Sequence, residues 1–123
     1  MGVAVTMRGV KLPNAELAVI DAANVRDYLL SESHPVGRFK AEFFRALGFR
    51  SERWQDLELA LRQHAMQHEA VPGGKSEYGT KYEVTGALAG PEGRTAEVLV
   101  AWIVRTGENV PRLITAQPAR KRP

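Results

Sequence analysis

The sequence contains no cysteine, and this absence excludes disulfide bonds, thiolate metal sites and a cysteine nucleophile. It also contains no long apolar run. The first ten residues are mildly apolar, but they are too short to span a bilayer and lack the charged start and long apolar core of a signal peptide. Because such a chain fits a reducing compartment, we expect a cytoplasmic protein that does not contact a membrane.

The chain length and composition predict one globular domain. A chain of 123 residues can bury a genuine core, and 44% hydrophobic with 25% charged residues is ordinary for a soluble protein. We expect residues 1–10 to form a flexible leader or an added edge strand. Residues 11–118 are expected to form a single domain, and residues 119–123 a basic tail.

The positive charge is carried mainly by arginine. The formal net charge is +3, and 12 of the 17 cationic residues are arginine. A guanidinium group donates hydrogen bonds in pairs and therefore suits phosphate and carboxylate groups better than lysine does. The composition thus favours an anionic partner, and a plain basic surface is the alternative.

Helical periodicity predicts three helices in the first half of the chain. Asp21 and Ser51 precede two of them and are candidate N-caps, while Gly48 is placed to end the second. Each helix repeats apolar residues at the spacing that buries one face. The expected helices cover residues 22–31, 36–47 and 51–68.

Beyond the third helix, the apolar period changes to two, which is typical of β-strands. Residues 71–74 (VPGG) read as a breaker between the two halves. The segment 96–104 is apolar on both faces, so we expect a central strand covered on each side. These patterns predict an α+β fold, with N-terminal helices packed on a C-terminal antiparallel β-meander of three or four strands.

Lys40 breaks the pattern of the second helix. At 100° per residue, its side chain falls inside the apolar arc, between Val36 and Phe44. A lysine at such a position must snorkel to solvent, pair with a carboxylate or line a pocket. Lys40 is therefore the strongest local indication of a site, and His34, in the loop before the same helix, is a candidate general acid or base beside it.

Histidine spacing alone does not predict a metal centre. His64 and His68 have the i, i+4 spacing of a zinc-binding helix, but the HAMQH segment lacks the intervening glutamate of the metalloprotease motif, and no cysteine or third histidine lies nearby. We expect solvated histidines at a helix end, no metal site and no cofactor.

The strand half contains further candidates. Tyr78 and Lys81 start a strand, where they can stack a base and hold a phosphate, or pack across strands with the lysine solvated. Trp102 is expected in the core. Arg112 and Thr115 share the last strand, and alternation puts them on opposite faces unless a bulge intervenes.

These residues provide what metal-free RNA cleavage needs. The reaction requires a base for the 2′-OH proton, an acid for the leaving 5′-oxygen, and cations or hydrogen-bond donors for the charged phosphorane. His34 can supply the acid or base, Lys40 and Arg112 can stabilise phosphate charge, and Thr115 can donate a hydrogen bond. Many basic domains contain such residues, so the inventory alone is weak support.

A set of motifs resembles an uncharacterised bacterial family of domains of unknown function. The motifs extend over residues 11–118 and comprise LPN at 12–14, YLL at 28–30, HPxGxxKAxFFxxLGF at 34–49, YG at 78–79, GR at 93–94, WI at 102–103 and PRLITA at 111–116. Their layout is similar to toxins of the barnase, EndoU, colicin and RelE group, many of which cut RNA without metal. This resemblance implies that Lys40, Arg112 and Thr115 lie near an active sheet face with His34 beside them.

The leading hypothesis is a small metal-independent ribonuclease-like toxin domain acting on RNA. Its catalytic residues are expected to be His34, Lys40, Arg112 and Thr115, with Tyr78, Lys81 and Arg94 binding the substrate. A small acidic antitoxin or immunity protein is the expected protein partner. The alternatives are a non-catalytic module that binds nucleic acid or an acidic protein, and an immunity or adaptor protein of a toxin system. The sequence leaves the oligomeric state open.

Overall fold

The computed structural model describes residues 10–31 and 37–119, without the side chains of residues 37–39. The expected leader lies outside these residues except for Val10, and the expected basic tail lies outside them except for Ala119. His34 also lies outside the described residues.

Three helices occupy the first half of the described chain. The structure has α1 at Ala22–Asn24, continued by a π-helical turn at Val25–Leu29, then α2 at Gly37–Ala46 and α3 at Trp54–Gln67. Short 3-10 turns lie at Ala15–Leu17 and Ser51–Arg53. The three expected helices are confirmed, with α2 ending just before Gly48, whose φ of 102° favours glycine.

Asp21 is the N-cap residue of α1, as predicted, but Ser51 is not the N-cap residue of α3. Asp21 precedes α1, but its side chain makes no capping hydrogen bond. Its backbone carbonyl instead accepts hydrogen bonds from the amides of Asn24 and Val25. Ser51 lies inside the 3-10 turn before α3, so the prediction for Ser51 is wrong. The N-cap residue is Arg50 for this turn and Arg53 for α3, and neither makes a side-chain cap.

The second half of the chain forms a four-stranded antiparallel sheet in the order β1-β2-β3-β4. The fold is therefore α+β, with helices N-terminal to a β-meander, as predicted. β3 is an interior strand that pairs with both β2 and β4. The strand bounds are Ala70–Ser76 for β1, Gly79–Ala89 for β2, Thr95–Arg105 for β3 and Pro111–Pro118 for β4.

The VPGG segment is part of strand β1, so its interpretation as a breaker is wrong. Pro72 pairs with Tyr82 of β2, and the register shifts between Pro72 and Gly74. β1 lies at the edge of the sheet, where a missing N–H and an irregular register are tolerated. The proline and glycines that suggested a loop are residues that an edge strand can accommodate.

The core lies between the helices and one face of the sheet. α3 packs on β2, and α1 and α2 contact β4. Trp102, Val98 and Val100 of β3 are completely buried on this side, which confirms the prediction for Trp102. On the other side of β3, Leu99, Ala101 and Ile103 are only partly buried, so the expectation that β3 is covered on both faces holds for one face.

The N-terminal segment pairs with both edge strands of the sheet. Val10 forms an antiparallel bridge with Ala70 at the β1 edge, and Val19 forms a parallel bridge with Arg112 at the β4 edge. Backbone hydrogen bonds support each bridge. None of the helices in residues 10–31 and 37–119 is long and apolar enough to cross a membrane.

Candidate functional site

Lys40 of α2 meets two hydroxyl groups from other elements. Its ammonium nitrogen Nζ donates hydrogen bonds to Thr115 Oγ1 at 2.8 Å and to the Tyr28 hydroxyl at 3.2 Å. Nζ also lies 5.1 Å from the centre of the Tyr28 ring, within the range of a cation–π interaction. All three side chains are partly buried. α2, the π-helical turn and β4 therefore converge on one cation.

No carboxylate among the described residues is paired with the Lys40 ammonium group. Within the described part of the chain, Lys40 forms no ion pair, and its hydrogen-bond acceptors are neutral hydroxyls. The side chain of Lys40 instead reaches two hydroxyl groups from other elements. A partly buried ammonium group held in this way can bind a phosphate or carboxylate more strongly than a solvated one.

A β-bulge determines which way Thr115 faces. Leu113 pairs with Trp102 and Thr115 pairs with Ala101, so Ile114 is an extra residue in β4. Because the extra residue shifts the alternation of β4 by one position, Arg112 and Thr115 lie on the same side of the sheet. The sequence left this point open, since alternation without a bulge separates the two residues.

The face opposite the core carries a cluster of charged and polar side chains. Directly paired residues share a face of an antiparallel sheet. One cross-strand row contains Lys81, Ile103 and Arg112, and the next contains Glu83, Ala101 and Thr115. We call these six residues the open face. Within a row, neighbouring Cβ atoms lie about 5 Å apart, so two cations flank Ile103 close to the Lys40 contact with Thr115.

Arg112 is engaged by a carboxylate from the preceding turn. Its Nε and Nη2 donate to the two carboxylate oxygens of Glu108 at 3.0 and 3.4 Å. The hydrogen bonds and the charge of Glu108 raise the pKa of Arg112, and the hydrogen bonds from Arg112 lower the pKa of Glu108. Arg112 makes no hydrogen bond to Lys40 or Thr115 in the described structure.

Two predicted substrate-binding residues lie at opposite ends of the sheet. Tyr78 is in the turn between β1 and β2 and is 72% exposed. Arg94 lies just before β3 at the opposite end of the sheet, since Ala89 pairs with Thr95 there. The 11-residue strand β2 separates them, a distance of roughly 35 Å at the usual rise. Arg94 instead donates to the carbonyl of Ala46 at the end of α2 and approaches Glu92.

The interpretation of His64 and His68 as solvated helix-end residues is wrong for His64. Its side chain is buried, and Nε2 lies 3.1 Å from the carbonyl oxygens of Gly86 and Val98. Because both neighbours accept, Nε2 carries the proton and Nδ1, which is buried without a partner, does not. Burial, followed by the charge of His68, lowers the pKa of His64. The described residues contain no cluster of three or more potential metal ligands.

Sequence reasoning missed two residues near Lys40. The helical spacing predicts Tyr28 on the buried face of the first helix, but its hydroxyl accepts from Lys40. Asn24 had no assigned role, and its side chain binds the backbone of β4 at Leu113 and Ile114. Both partners are distant in sequence, and the π-helical turn that orients Tyr28 has no clear sequence signature.

Comparisons with known proteins agree with the fold. A family model described as a domain of unknown function (DUF6883) matches residues 11–120. A chain in the structure of a contact-dependent growth inhibition toxin–immunity protein complex from Klebsiella pneumoniae 342 is similar, with a TM-score of 0.67 and 19% identity over 87% of this chain and 97% of that chain. At this identity the likeness shows a common fold. No curated protein matches the sequence.

Proposed function

This chain belongs to the DUF6883 family of domains of unknown function, and we propose that it is the ribonuclease domain of a toxin system, cleaving RNA without a metal ion. The observation that supports this most directly is the Lys40 ammonium group, held by the hydroxyls of Thr115 and Tyr28 and unpaired with any described carboxylate. A cation in this setting is suited to a phosphodiester that gains charge during reaction.

The proposed reaction is an internal transesterification of RNA. The 2′-oxygen attacks the adjacent phosphorus, its proton passes to a base, and the bond from phosphorus to the 5′-oxygen breaks as that oxygen takes a proton from an acid. The products are a 2′,3′-cyclic phosphate and a 5′-hydroxyl. Lys40 stabilises the negative non-bridging oxygens of the phosphorane. Thr115, whose oxygen accepts from Lys40, keeps its own hydrogen for donation to the same group.

The open face supplies the surroundings that RNA requires. Lys81 and Arg112 flank Ile103 one row away from Thr115, and both can bind neighbouring phosphates. His34 is the sequence-based proposal for proton transfer. Tyr78 and Arg94 lie at opposite ends of β2, so in this proposal they do not both contact the nucleotide at the reacting centre.

The fold comparison supports the toxin-system part of the proposal. The similar solved chain comes from a complex described as a contact-dependent growth inhibition toxin with its immunity protein. On this basis we propose an acidic immunity or antitoxin protein as the partner of this chain, since carboxylates complement Lys40, Lys81 and Arg112.

Incubation of the purified protein with tRNA and total RNA in the presence of EDTA tests the activity. We expect cleavage that leaves 2′,3′-cyclic phosphate ends. Lys40→Met should abolish it, because methionine keeps a long unbranched side chain but removes the charged ammonium group. The matched variant Lys75→Met on the exposed strand β1 should cleave normally. No cleavage by the wild-type protein in large excess would contradict the proposal.

An immunity or binding role is the second candidate, and the partly buried apolar side chains Leu99, Ala101 and Ile103 favour it, since such a sheet face can dock a partner protein. Induced expression in bacteria separates the two roles. A toxin arrests growth and the Lys40→Met variant does not, whereas an immunity protein leaves growth unchanged in both forms.

A further inference from the structure

We propose that Asn24 is a positioning residue that holds the β4 bulge in the register needed for Thr115 to meet Lys40. The inference rests on the proposed function for its catalytic consequence. Its structural part, a dependence of the contact between Lys40 and Thr115 on Asn24, can be tested without any activity.

The side-chain amide of Asn24 donates hydrogen bonds to the backbone of the bulge. Nδ2 donates to the carbonyl oxygen of Ile114 at 3.0 Å and approaches that of Leu113 at 3.3 Å. Ile114 is the extra residue of the bulge, and Leu113 is the last residue before it. An amide nitrogen has two N–H donors, so one side chain satisfies both carbonyls at the irregular point of the strand.

The bulge is what places Thr115 on the open face. If pairing continued regularly beyond Leu113 and Trp102, Ile114 would pair with Ala101 and Thr115 with Val100. Val100 is completely buried on the core side. In that register the hydroxyl of Thr115 would point away from the open face and toward the core, and the buried Ala116 would leave the core. The bulge therefore decides whether Lys40 has its acceptor.

The first helical element carries both Asn24, which binds the bulge, and Tyr28, which is the second acceptor for Lys40. Asn24 is the last residue of α1, and Tyr28 lies four residues later in the π-helical turn. The same element thus fixes the β4 backbone through Asn24 and holds the Lys40 ammonium through Tyr28. Asn24 makes no described hydrogen bond to Lys40 or to the Thr115 side chain, so it acts through the bulge and does not touch the reacting atoms.

The test compares Asn24→Ala and Asn24→Asp with a matched control. Alanine removes the donors and raises helix propensity. Aspartate keeps the side-chain shape and suits the first turn of a helix, but its carboxylate has no N–H. The control is Asn14→Asp, because the Asn14 side chain also donates to a distant backbone carbonyl, that of Asn109, away from the bulge.

One structural readout is the NMR signal of the Lys40 ammonium group in protein labelled with ¹⁵N-lysine, identified by its loss in Lys40→Arg. The other is the amide signal of Thr115 in protein labelled uniformly with ¹⁵N. We expect both Asn24 variants to shift these two signals, and the Asn14 variant to leave both unchanged. Unchanged signals in folded Asn24 variants would overturn the inference, whether or not the protein cleaves RNA.

The catalytic readout separates positioning from general stability. We expect kcat for RNA cleavage to fall roughly 10- to 100-fold in the Asn24 variants with KM changed little, because a small misplacement of a reacting group acts on the chemical step. The melting temperature should stay close to that of the wild type. A loss of kcat that tracks melting temperature, or an equal loss in Asn14→Asp, would contradict a positioning role. Absence of cleavage by wild-type protein would refute the proposed function. The NMR result alone would then decide whether Asn24 holds the bulge.

Discussion

Lys40 and Thr115 are 75 residues apart in the sequence, and the Lys40 ammonium nitrogen lies 2.8 Å from the Thr115 hydroxyl oxygen. This contact joins α2 to the last strand of the sheet. It gives the Lys40 ammonium group, which lies in an otherwise apolar arc of α2, a polar partner that is not a carboxylate. Because the Thr115 oxygen accepts from Lys40, its hydroxyl hydrogen can be donated to another group.

Thr115→Val should reduce RNA cleavage by about 100-fold, since it removes a hydrogen-bond donor to the phosphorane while conserving shape. Thr115→Ser retains the hydroxyl and should keep most of the activity. The measurement is kcat with a fluorescent RNA substrate. Equal activity of the valine and serine variants would show that the hydroxyl is not used.

Glu108→Gln should strengthen RNA binding, because it releases the Arg112 guanidinium for phosphate contact. The pair is a surface ion pair, so the free energy of unfolding should change little. Fluorescence anisotropy at two salt concentrations measures the affinity and its salt dependence. Glu92→Gln, which alters the pair with Arg94 at the far end of the sheet, is the control and should bind RNA as the wild type does. Unchanged affinity in Glu108→Gln would argue against phosphate binding by Arg112.

Stability should fall below neutral pH because of His64. Burial lowers the pKa of His64 in the folded protein below its value in the unfolded chain, so the unfolded state binds more protons as the pH drops. The free energy of unfolding therefore decreases as pH falls through about 6.5, the usual histidine pKa. Denaturant titrations of wild type and His64→Gln between pH 7.5 and about 5 test this. A pH dependence of equal steepness in the variant would contradict the assignment.

Gly90→Ala should destabilise the fold by about 1–3 kcal/mol through overpacking. A Cβ atom at Gly90 would lie 1.9 Å from the carbonyl oxygen of Leu47, so the β2–β3 turn or the end of α2 would have to move. Gly73→Ala is the matched control, because its nearest contact would be the Lys81 carbonyl at an ordinary 3.9 Å. Thermal unfolding measures the difference, and equal melting temperatures of the two variants would show that the turn can shift at little cost.

Much of this fold follows from short-range patterns. The helical spacing of apolar residues located α2 and α3, and alternation located β2, β3 and β4. Lys40 could be recognised because its angle on the helix conflicts with its neighbours. In these cases the information lies within a few residues of sequence, which periodicity can detect.

The remaining features depend on tertiary context. β1 was missed because Pro72, Gly73 and Gly74 favour a turn locally, and only the edge position makes them acceptable in a strand. The bulge at Ile114 shifts the residues after it to the other face of the sheet, and no short-range sequence pattern marks it. His64 looked like a surface residue because the carbonyls that bind it, at Gly86 and Val98, come from two other strands.

The bridge between the N-terminal segment and the edge strand β4 also determines when the fold can be completed during synthesis. Val19 pairs with Arg112, so this bridge cannot form until β4 has left the ribosome. Thr115 is in the same strand, and Lys40 must wait for it as well. Contacts between such distant positions form slowly because a long loop must close first. A nascent chain can therefore form every helix before it can form the proposed site, and an RNA-cleaving centre built this way would be inactive until β4 has been synthesised.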